Sequence, residues 1–381
     1  MAETVTPQSI SEVAAALAGA AGERRPVRIV GGGTKLGWGR PAPRDALHLR
    51  TDHLSRTISH TSEGLTASVG AGTPLARAQG QFAKAGRMLA IDPQLGLGQR
   101  PAATLGGVIA TADSGPLAHR YGPPQRQLVG VTVALSDGNV IRVGSRGDDE
   151  QNGYDLTRLL TGSFGTLGVI VSVDVRLQPL PVRTATALAS TDEPQVMRDA
   201  VLRLATQARE CEAFDVAWRD GRGGLLAQLS GDAAEARATR FAEAMVAAGL
   251  RQPDVRTSDT SLWARQRAGQ RSTDHAVLRV HARRSQLDQV LSLAAAAGAD
   301  LVGRAALGIS YLTLTVNQIA TVRAGLPADA GAVALDLPGS ARGAVDPWGL
   351  TDPHTLELMR SVKQSFDLAG VCNPGVFVGR I

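Results

Sequence analysis

Apolar positions in the first third of the chain switch between a helical spacing and short strand-like runs. Ile10, Val13 and Leu17 fall on one helical face behind Ser9 and Ser11, which predicts a serine-capped helix to about Ala20. Short apolar runs at Val27 to Val30, Ala46 to Leu49 and Leu65 to Gly70 predict strands. Thr73-Pro74 then opens a helix to about Ala85, since proline suits the first helical turn, and Met88 to Ile91 is a short strand. This β–α–β alternation predicts an α/β layer. Leu128 to Leu135 and Val140 to Val143 flank Ser136-Asp-Gly-Asn139, the pattern of a β-hairpin. Val169 to Leu177 alternates as a strand, and Pro179 and Pro181 bracket a domain boundary.

The texture changes from about Arg183. Ala-rich amphipathic segments at Gln195 to Ala208, Ala233 to Ala248 and Gln286 to Ala297 predict helices. Strands are predicted near Phe214 to Trp218, Leu225 to Leu229, Ala276 to Val280 and Ser310 to Thr315, which together make an α+β domain on a small antiparallel sheet. A last helix is expected over Leu350 to Phe366, with Asp352 as its cap.

The most informative stretch is Ile29-Val-Gly-Gly-Gly-Thr-Lys-Leu-Gly-Trp-Gly39, three glycines directly behind a buried strand. Glycines there permit positive φ and close approach of a ligand to the backbone, and successive N–H groups can form a nest for a phosphate. A plain tight loop after a strand is the alternative, and both readings stand on this stretch alone. The loop is not a dinucleotide fingerprint, because counting from Gly31 the sixth place is Leu36. It is not a P-loop, because Trp38 and Gly39 follow Gly37. Arg40, Pro41, Ala42 and Pro43 prevent a helix from opening behind it, so any phosphate would be held by backbone amides alone. A second small-residue stretch, Pro101-Ala-Ala-Thr-Leu-Gly-Gly107 through Ser114-Gly115, reads as a surface on which a large flat ligand lies against the backbone.

The 381 residues suffice for two or three domains, and 43% apolar with 20% charged residues is an ordinary globular composition. Aromatics make up only 3%, so the core must rest on Ala, Val and Leu. The net charge of +5 is carried almost wholly by arginine, the only lysines being Lys35, Lys84 and Lys363. No basic run with interleaved aromatics occurs, which argues against nucleic acid as a partner. Cys211 and Cys372 are too isolated for an iron–sulfur cluster and suit a reducing compartment. The segment Met1 to Ile10 lacks signal-peptide features and no apolar run reaches bilayer length. The expectation is a cytoplasmic protein that does not span a membrane.

Taken together, these stretches resemble the flavoprotein superfamily of vanillyl-alcohol oxidase and the D-2-hydroxyacid dehydrogenases, and more narrowly the FAD-binding subunit of bacterial glycolate oxidase. The resemblance rests on Ile29 to Lys35, Pro101 to Gly107, Arg120-Tyr-Gly122, Gly153-Tyr-Asp-Leu through Gly168, and the tail Phe366-Asp-Leu-Ala-Gly-Val-Cys-Asn-Pro-Gly375. It covers roughly residues 8 to 180 and the tail. The implied fold is α+β: a two-part PCMH-type FAD-binding domain (1–180), a smaller α+β cap or substrate domain (181–345), and a C-terminal helix and tail (346–381) packing back on the first. The resemblance implies that Gly31, Gly32, Gly33, Thr34 and Lys35 hold the FAD pyrophosphate. It sets the flavin beside Thr104, Leu105, Gly106, Gly107, Ser114 and Gly115, with Tyr121 and Gly122 close by. The adenosine part falls near Gly165, Gly168 and Ile170, and Asn373 comes near the flavin.

The sequence departs from that pattern in places. No His lies between Gly31 and Arg44, so the FAD is expected to be non-covalent. Arg126 stands where relatives have an Asp. Asp149, Glu150, Gln151 and Asn152 replace the usual Lys-Asn pair ahead of Gly-Tyr-Asp-Leu. The His-rich substrate motif of the hydroxyacid dehydrogenases is missing. His275, His281 and His354 stand apart, and the catalytic base is unassigned. Arg279 and Arg304 are candidates to clamp a substrate carboxylate. The implied activity is oxidation of a glycolate-like 2-hydroxy acid, with electrons passing to separate iron–sulfur and second flavin subunits. The rivals are a stand-alone flavin alcohol oxidase and a non-catalytic subunit that keeps the fold.

Overall fold

The computed structural model describes residues 3–55, 58–60, 65–98, 102–144, 156–349 and 352–381. Pro101, the Gly153-Tyr-Asp sequence, the Asp149 to Asn152 departure and Leu350 lie outside these.

Two sheets build the first region. The Val27–Val30 strand pairs in parallel with Leu47–Arg50, which pairs in turn with Thr4–Val5. Helix Ile10–Gly22 buries Val13 and Leu17, and Ser9 caps it by accepting from the Glu12 N–H. The second sheet is antiparallel, in the order Ile58–His60, Thr66–Gly70, Val169–Arg176, Leu128–Ala134, Val140–Gly144, and contains the expected hairpin. Helix Leu75–Lys84 begins directly after Pro74.

The 101–115 stretch differs from its reading as a ligand platform without a core. Leu105–Thr111 is a helix capped by Thr104, and Leu105, Val108 and Ile109 are fully buried in the core of the first region. Met88 to Ile91 is reduced to a two-residue strand, Arg87–Met88, paired with Gln178–Pro179.

The second region is larger than a small sheet. Eight antiparallel strands run in the order Arg251–Arg256, Thr184–Thr191, Arg222–Ser230, Ala213–Arg219, Asp300–Arg304, Ile309–Leu314, Ala276–His281, Gly331–Asp336. Alternate residues of a strand point to opposite faces. Phe214, Val216, Leu278 and Leu312 face helices Pro194–Leu204, Ala234–Ala247 and Leu287–Ala296 in the largest core. The intervening residues, among them Asp215, Arg279, Arg304 and Tyr311, occupy the other face, towards the first region.

Helix Pro353–Phe366, capped by Asp352, leads into a tail that returns to the first sheet. Val27 N–H donates to Val371 O (2.8 Å), Asn373 N–H donates to Val27 O (2.9 Å), and Cys372 forms a parallel bridge with Val27.

Candidate functional site

Within the first region, and closed in part by the returning tail, lies a cleft with about 780 Å³ of empty space, part of it open to solvent. Its first wall is the loop behind the Val27–Val30 strand. A side chain on Gly32 would place its Cβ 1.6 Å from the carbonyl oxygen of Ala102, and one on Gly31 would lie 2.3 Å from Thr104 Oγ1. Both glycines are therefore required by contact, Gly32 with the Ala102 backbone and Gly31 with the Thr104 side chain. Only Gly33 of the three has positive φ, +72°, so close approach rather than φ is what demands glycine at 31 and 32.

The facing wall is made of Thr104, Gly106, Gly107, Ala110 and Thr111. Gly106 is pressed on Ala71, where a Cβ would come within 2.7 Å of the alanine methyl. Phe164, Gly165, Gly168 and Ile170 close one end. Phe164, at φ +56°, stacks edge-on against Trp348 at 4.9 Å, and Phe377 completes the aromatic group.

Asn373 fastens the walls together. Its side-chain oxygen accepts from Ile29 N–H (2.9 Å) and its amide donates to Phe164 O (2.7 Å). Both ends of that side chain are thus committed to protein, although it lines the cleft.

Among the described residues, the cleft lining carries two cations, Arg28 and Lys35, and no acid. Lys35 pairs with buried Asp113 at 3.0 Å and lies over the Trp38 ring. Arg28 donates to Leu36 O (3.0 Å), and burial pulls its pKa below the usual arginine value. The sequence reading passed over Arg28. Its one signal is a charge inside an otherwise apolar strand.

The loop is hooked to the second region through Arg271. This buried guanidinium donates to Asp336 (2.7 and 3.1 Å) and to Thr34 O (2.9 Å), and stacks on Trp38 at 4.9 Å. Trp38 Nε1–H also donates to Asp336 (2.9 Å). Trp38 then packs with Val277, Tyr311, Leu335 and Phe164.

Beyond Tyr311 the polar face of the eight-stranded sheet holds a buried cluster. Arg304, 1% exposed, pairs with Asp215, 0% exposed, from the adjacent strand. Burial lifts the Asp215 carboxyl to about 7, and the neighbouring Asp92 charge adds to this against the pull of Arg304. Asp92 reaches the cluster from the first region, accepting from Leu117 N–H (3.0 Å) and pairing with Arg267 (3.4 Å), and burial raises it to about 6.

Twelve of the residues singled out from sequence therefore meet round one cleft: Gly31, Gly32, Gly33, Thr34, Lys35, Thr104, Gly106, Gly107, Gly165, Gly168, Ile170 and Asn373. Leu105 is buried in the core beneath it. Ser114 and Gly115 sit beside Asp92 and Gln270, outside the lining. Tyr121 donates its hydroxyl to Glu212 (2.7 Å), and Gly122 borders a separate surface hollow. His275, His281 and His354 are exposed, and none lines the cleft.

The first 144 residues match the protein family described as FAD binding domain. The match is to a domain and covers 144 of the 381 residues. Over 53% of its length the chain is 31% identical to the mitochondrial D-lactate dehydrogenase (cytochrome) of Arabidopsis thaliana, of which it spans 34%. Over 49% of its length it is 30% identical to the glycolate oxidase subunit GlcD of Bacillus subtilis, of which it spans 38%. The chain thus spans little more than a third of either relative. A 25% identical FAD-linked oxidoreductase of Mycobacterium tuberculosis is matched over 98% of this chain and 90% of that protein. In fold, the chain is similar to a solved alkyldihydroxyacetonephosphate synthase, with a TM-score of 0.70, 14% identity, and coverage of 97% of this chain and 76% of that one.

The cleft in the first region has the makings of a dinucleotide site. Its glycines bring the backbone to the surface, its lining charge is positive, and aromatic side chains close one end. Among the described residues no group of three or more His, Cys, Asp or Glu could hold a metal, and no helix is long and apolar enough to cross a membrane.

Proposed function

We propose that this protein is an FAD-dependent oxidoreductase that oxidises the CH–OH group of a 2-hydroxy acid such as glycolate or D-lactate. The observation that carries this reading is the glycine-walled cleft, acid-free among its described lining residues, whose Trp38 and Phe164 pack against Tyr311 of an arginine-bearing sheet face. Bound flavin supplies a two-electron acceptor, and the protein supplies position and electrostatics. The amides of Gly31 to Thr34 would hold the pyrophosphate, with Arg28 contributing positive charge. No histidine, cysteine or tyrosine is among the described lining residues, which favours non-covalent FAD. Arg279 and Arg304, on the two strands that flank Ile309–Leu314 and on one face of the sheet, are placed to bind a substrate carboxylate.

Electrons would leave to a separate iron–sulfur subunit working with a second flavin subunit. Cys211 and Cys372 are both buried, with burial pushing each thiol to about 12, so they carry no electrons onward. Two free thiols suit the cytoplasm. The separation of the eight-stranded sheet from the sheets of the first region, and the returning tail, support the division into FAD domain, α+β cap and C-terminal segment at about residues 180 and 345.

The test is an absorption spectrum of the purified protein, followed by anaerobic addition of glycolate and of D-lactate. Flavin that appears in the supernatant after acid precipitation, and that either substrate bleaches in the native protein, is the expected result. Colourless protein that FAD cannot reconstitute would overturn the reading. Peroxide production by the lone chain would instead favour a stand-alone oxidase.

A further inference from the structure

We infer that Asp215 accepts the hydroxyl proton of the substrate whose carboxylate Arg304 holds, an assignment that rests on the functional reading above. The two residues lie opposite each other on adjacent antiparallel strands, 89 positions apart in sequence. Arg304 Nη1 donates to Asp215 Oδ2, but the pair is left half made. Arg304 Nε and Nη2, and Asp215 Oδ1, are buried without a partner. An arginine placed only to neutralise an aspartate would present its fork to both carboxylate oxygens. Here donors and an acceptor stay open side by side in a dry interior, where unmade hydrogen bonds are costly.

The ligand that completes such a pair must accept from the guanidinium and donate to the carboxylate. A 2-hydroxy acid does both from adjacent carbons. A simple carboxylic acid or a simple alcohol does only half. The surroundings point the same way. The Tyr311 ring lies 5.7 Å from the Arg304 guanidinium and packs with Trp38 and Phe164 of the cleft wall. Arg279, opposite Tyr311 on the next strand, has a buried Nε without a partner.

The charged groups that act on Asp215 are Arg304 from its own sheet, Arg267 from the helix Thr260–Ala268, and Asp92 from the first region. Their balance with burial leaves a carboxylate that exchanges its proton near neutrality, as a general base requires. In the step, the substrate O–H bond breaks and the proton goes to Asp215 Oδ1. The freed electron pair forms the new C=O bond, and the C–H hydrogen leaves with its own pair, for which oxidised flavin is the acceptor. This role for an aspartate accounts for a site without histidine.

The test uses oxalate, an unreactive dianion of similar shape, and calorimetry on the FAD-loaded protein. Asp215 must be protonated to stop repelling oxalate and to donate to it. The parent should therefore bind oxalate roughly tenfold tighter at pH 6 than at pH 8. Asp215→Asn should bind oxalate without that pH dependence and slow flavin reduction by glycolate at least about a hundredfold. Arg304→Gln should lose oxalate binding. The parent measurement needs no variant to fold, so an oxalate affinity that is flat with pH overturns the assignment by itself. Flavin reduced as fast in Asp215→Asn as in the parent would overturn Asp215 alone. Flavin in the parent that no 2-hydroxy acid reduces would overturn the functional reading, and the proton-transfer role with it.

Discussion

The cleft and the sheet that backs it are made of different material. The loop wall, Gly31 to Lys35 against Thr104 to Thr111, is mostly backbone, and its chemistry lies in what is missing from it. The sheet wall behind the cleft, reached through Trp38 and Phe164, is made of side chains: Arg304, Asp215, Asp336 and Tyr311 set by strand register, and Arg271 from the segment ahead of the Ala276–His281 strand. The loop wall tolerates almost no added atom. The sheet wall tolerates changes of shape but not of charge, because its charges are buried and mutually dependent.

The largest effect should come from adding atoms to the loop wall. Gly32→Val must push the loop off the Ala102 carbonyl, 1.6 Å from the new Cβ. Bound FAD should be lost entirely, with a fall in stability of at least about 1–3 kcal/mol from overpacking. Flavin absorbance per protein and a thermal melt measure both, and full flavin occupancy would refute the contact argument. On the sheet wall, Arg271→Met leaves Asp336 buried without its cation and frees Thr34 O. A loss of about 3–5 kcal/mol is expected in denaturant titration, and Arg271→Met with Asp336→Asn should recover part of it.

Asn373→Ala tests the stitch inside the cleft, between the strand ahead of the loop and the Phe164 end. It leaves Ile29 N–H and Phe164 O unpaired and puts alanine at φ +42°. About 2 kcal/mol of stability should be lost, with weaker FAD binding in a dilution assay. Gly33→Ala should be milder, because the site is open, with Leu36 Cδ1 at 3.8 Å, and only the +72° φ is strained. A cost of about 1–2 kcal/mol with FAD retained is expected. Loss of flavin as complete as in Gly32→Val would erase the distinction between contact and conformation.

The smallest effect is a slope. Asp92 is raised to about 6 in the fold, so the folded state holds a proton that the unfolded chain gives up near pH 4. Its contribution to stability therefore falls as pH rises from about 4 to about 6. The melting temperature of Asp92→Asn relative to the parent should climb over that interval and then level. A constant gap would refute it.

The same contrast explains what could be read from the sequence. A wall of backbone announces itself as clustered glycines, so Gly31 to Lys35 and Gly106-Gly107 were visible as a ligand surface, while Gly165 and Gly168 entered only through the family resemblance. The reason for Gly32 was not visible, because its neighbour Ala102 is 70 residues away and its contact is tertiary. The helix Leu105–Thr111 was hidden by two glycines of poor helix propensity, and is held by burial of Leu105, Val108 and Ile109. Half the large sheet was missed for local reasons. Thr184–Thr191 is mostly alanine and threonine, and Arg251–Arg256 is polar with Pro253, as edge strands can be. Asp215 left a faint trace as an acid inside the alternating run Phe214 to Trp218, but its partnership with Arg304 exists only through register.

The tail that pairs with Val27 also sets a timetable. Ribosomes deliver residues 371–373 long after the strand, loop and Phe164 that they join. A growing chain folds from its N-terminal side, so the first region must wait, with the Val27 edge bare and the loop unfastened, until the whole second region and residues 371–373 have emerged. Cofactor loading is thereby scheduled after residue 373, and a nascent chain arrested ahead of Val371 should leave the ribosome without flavin.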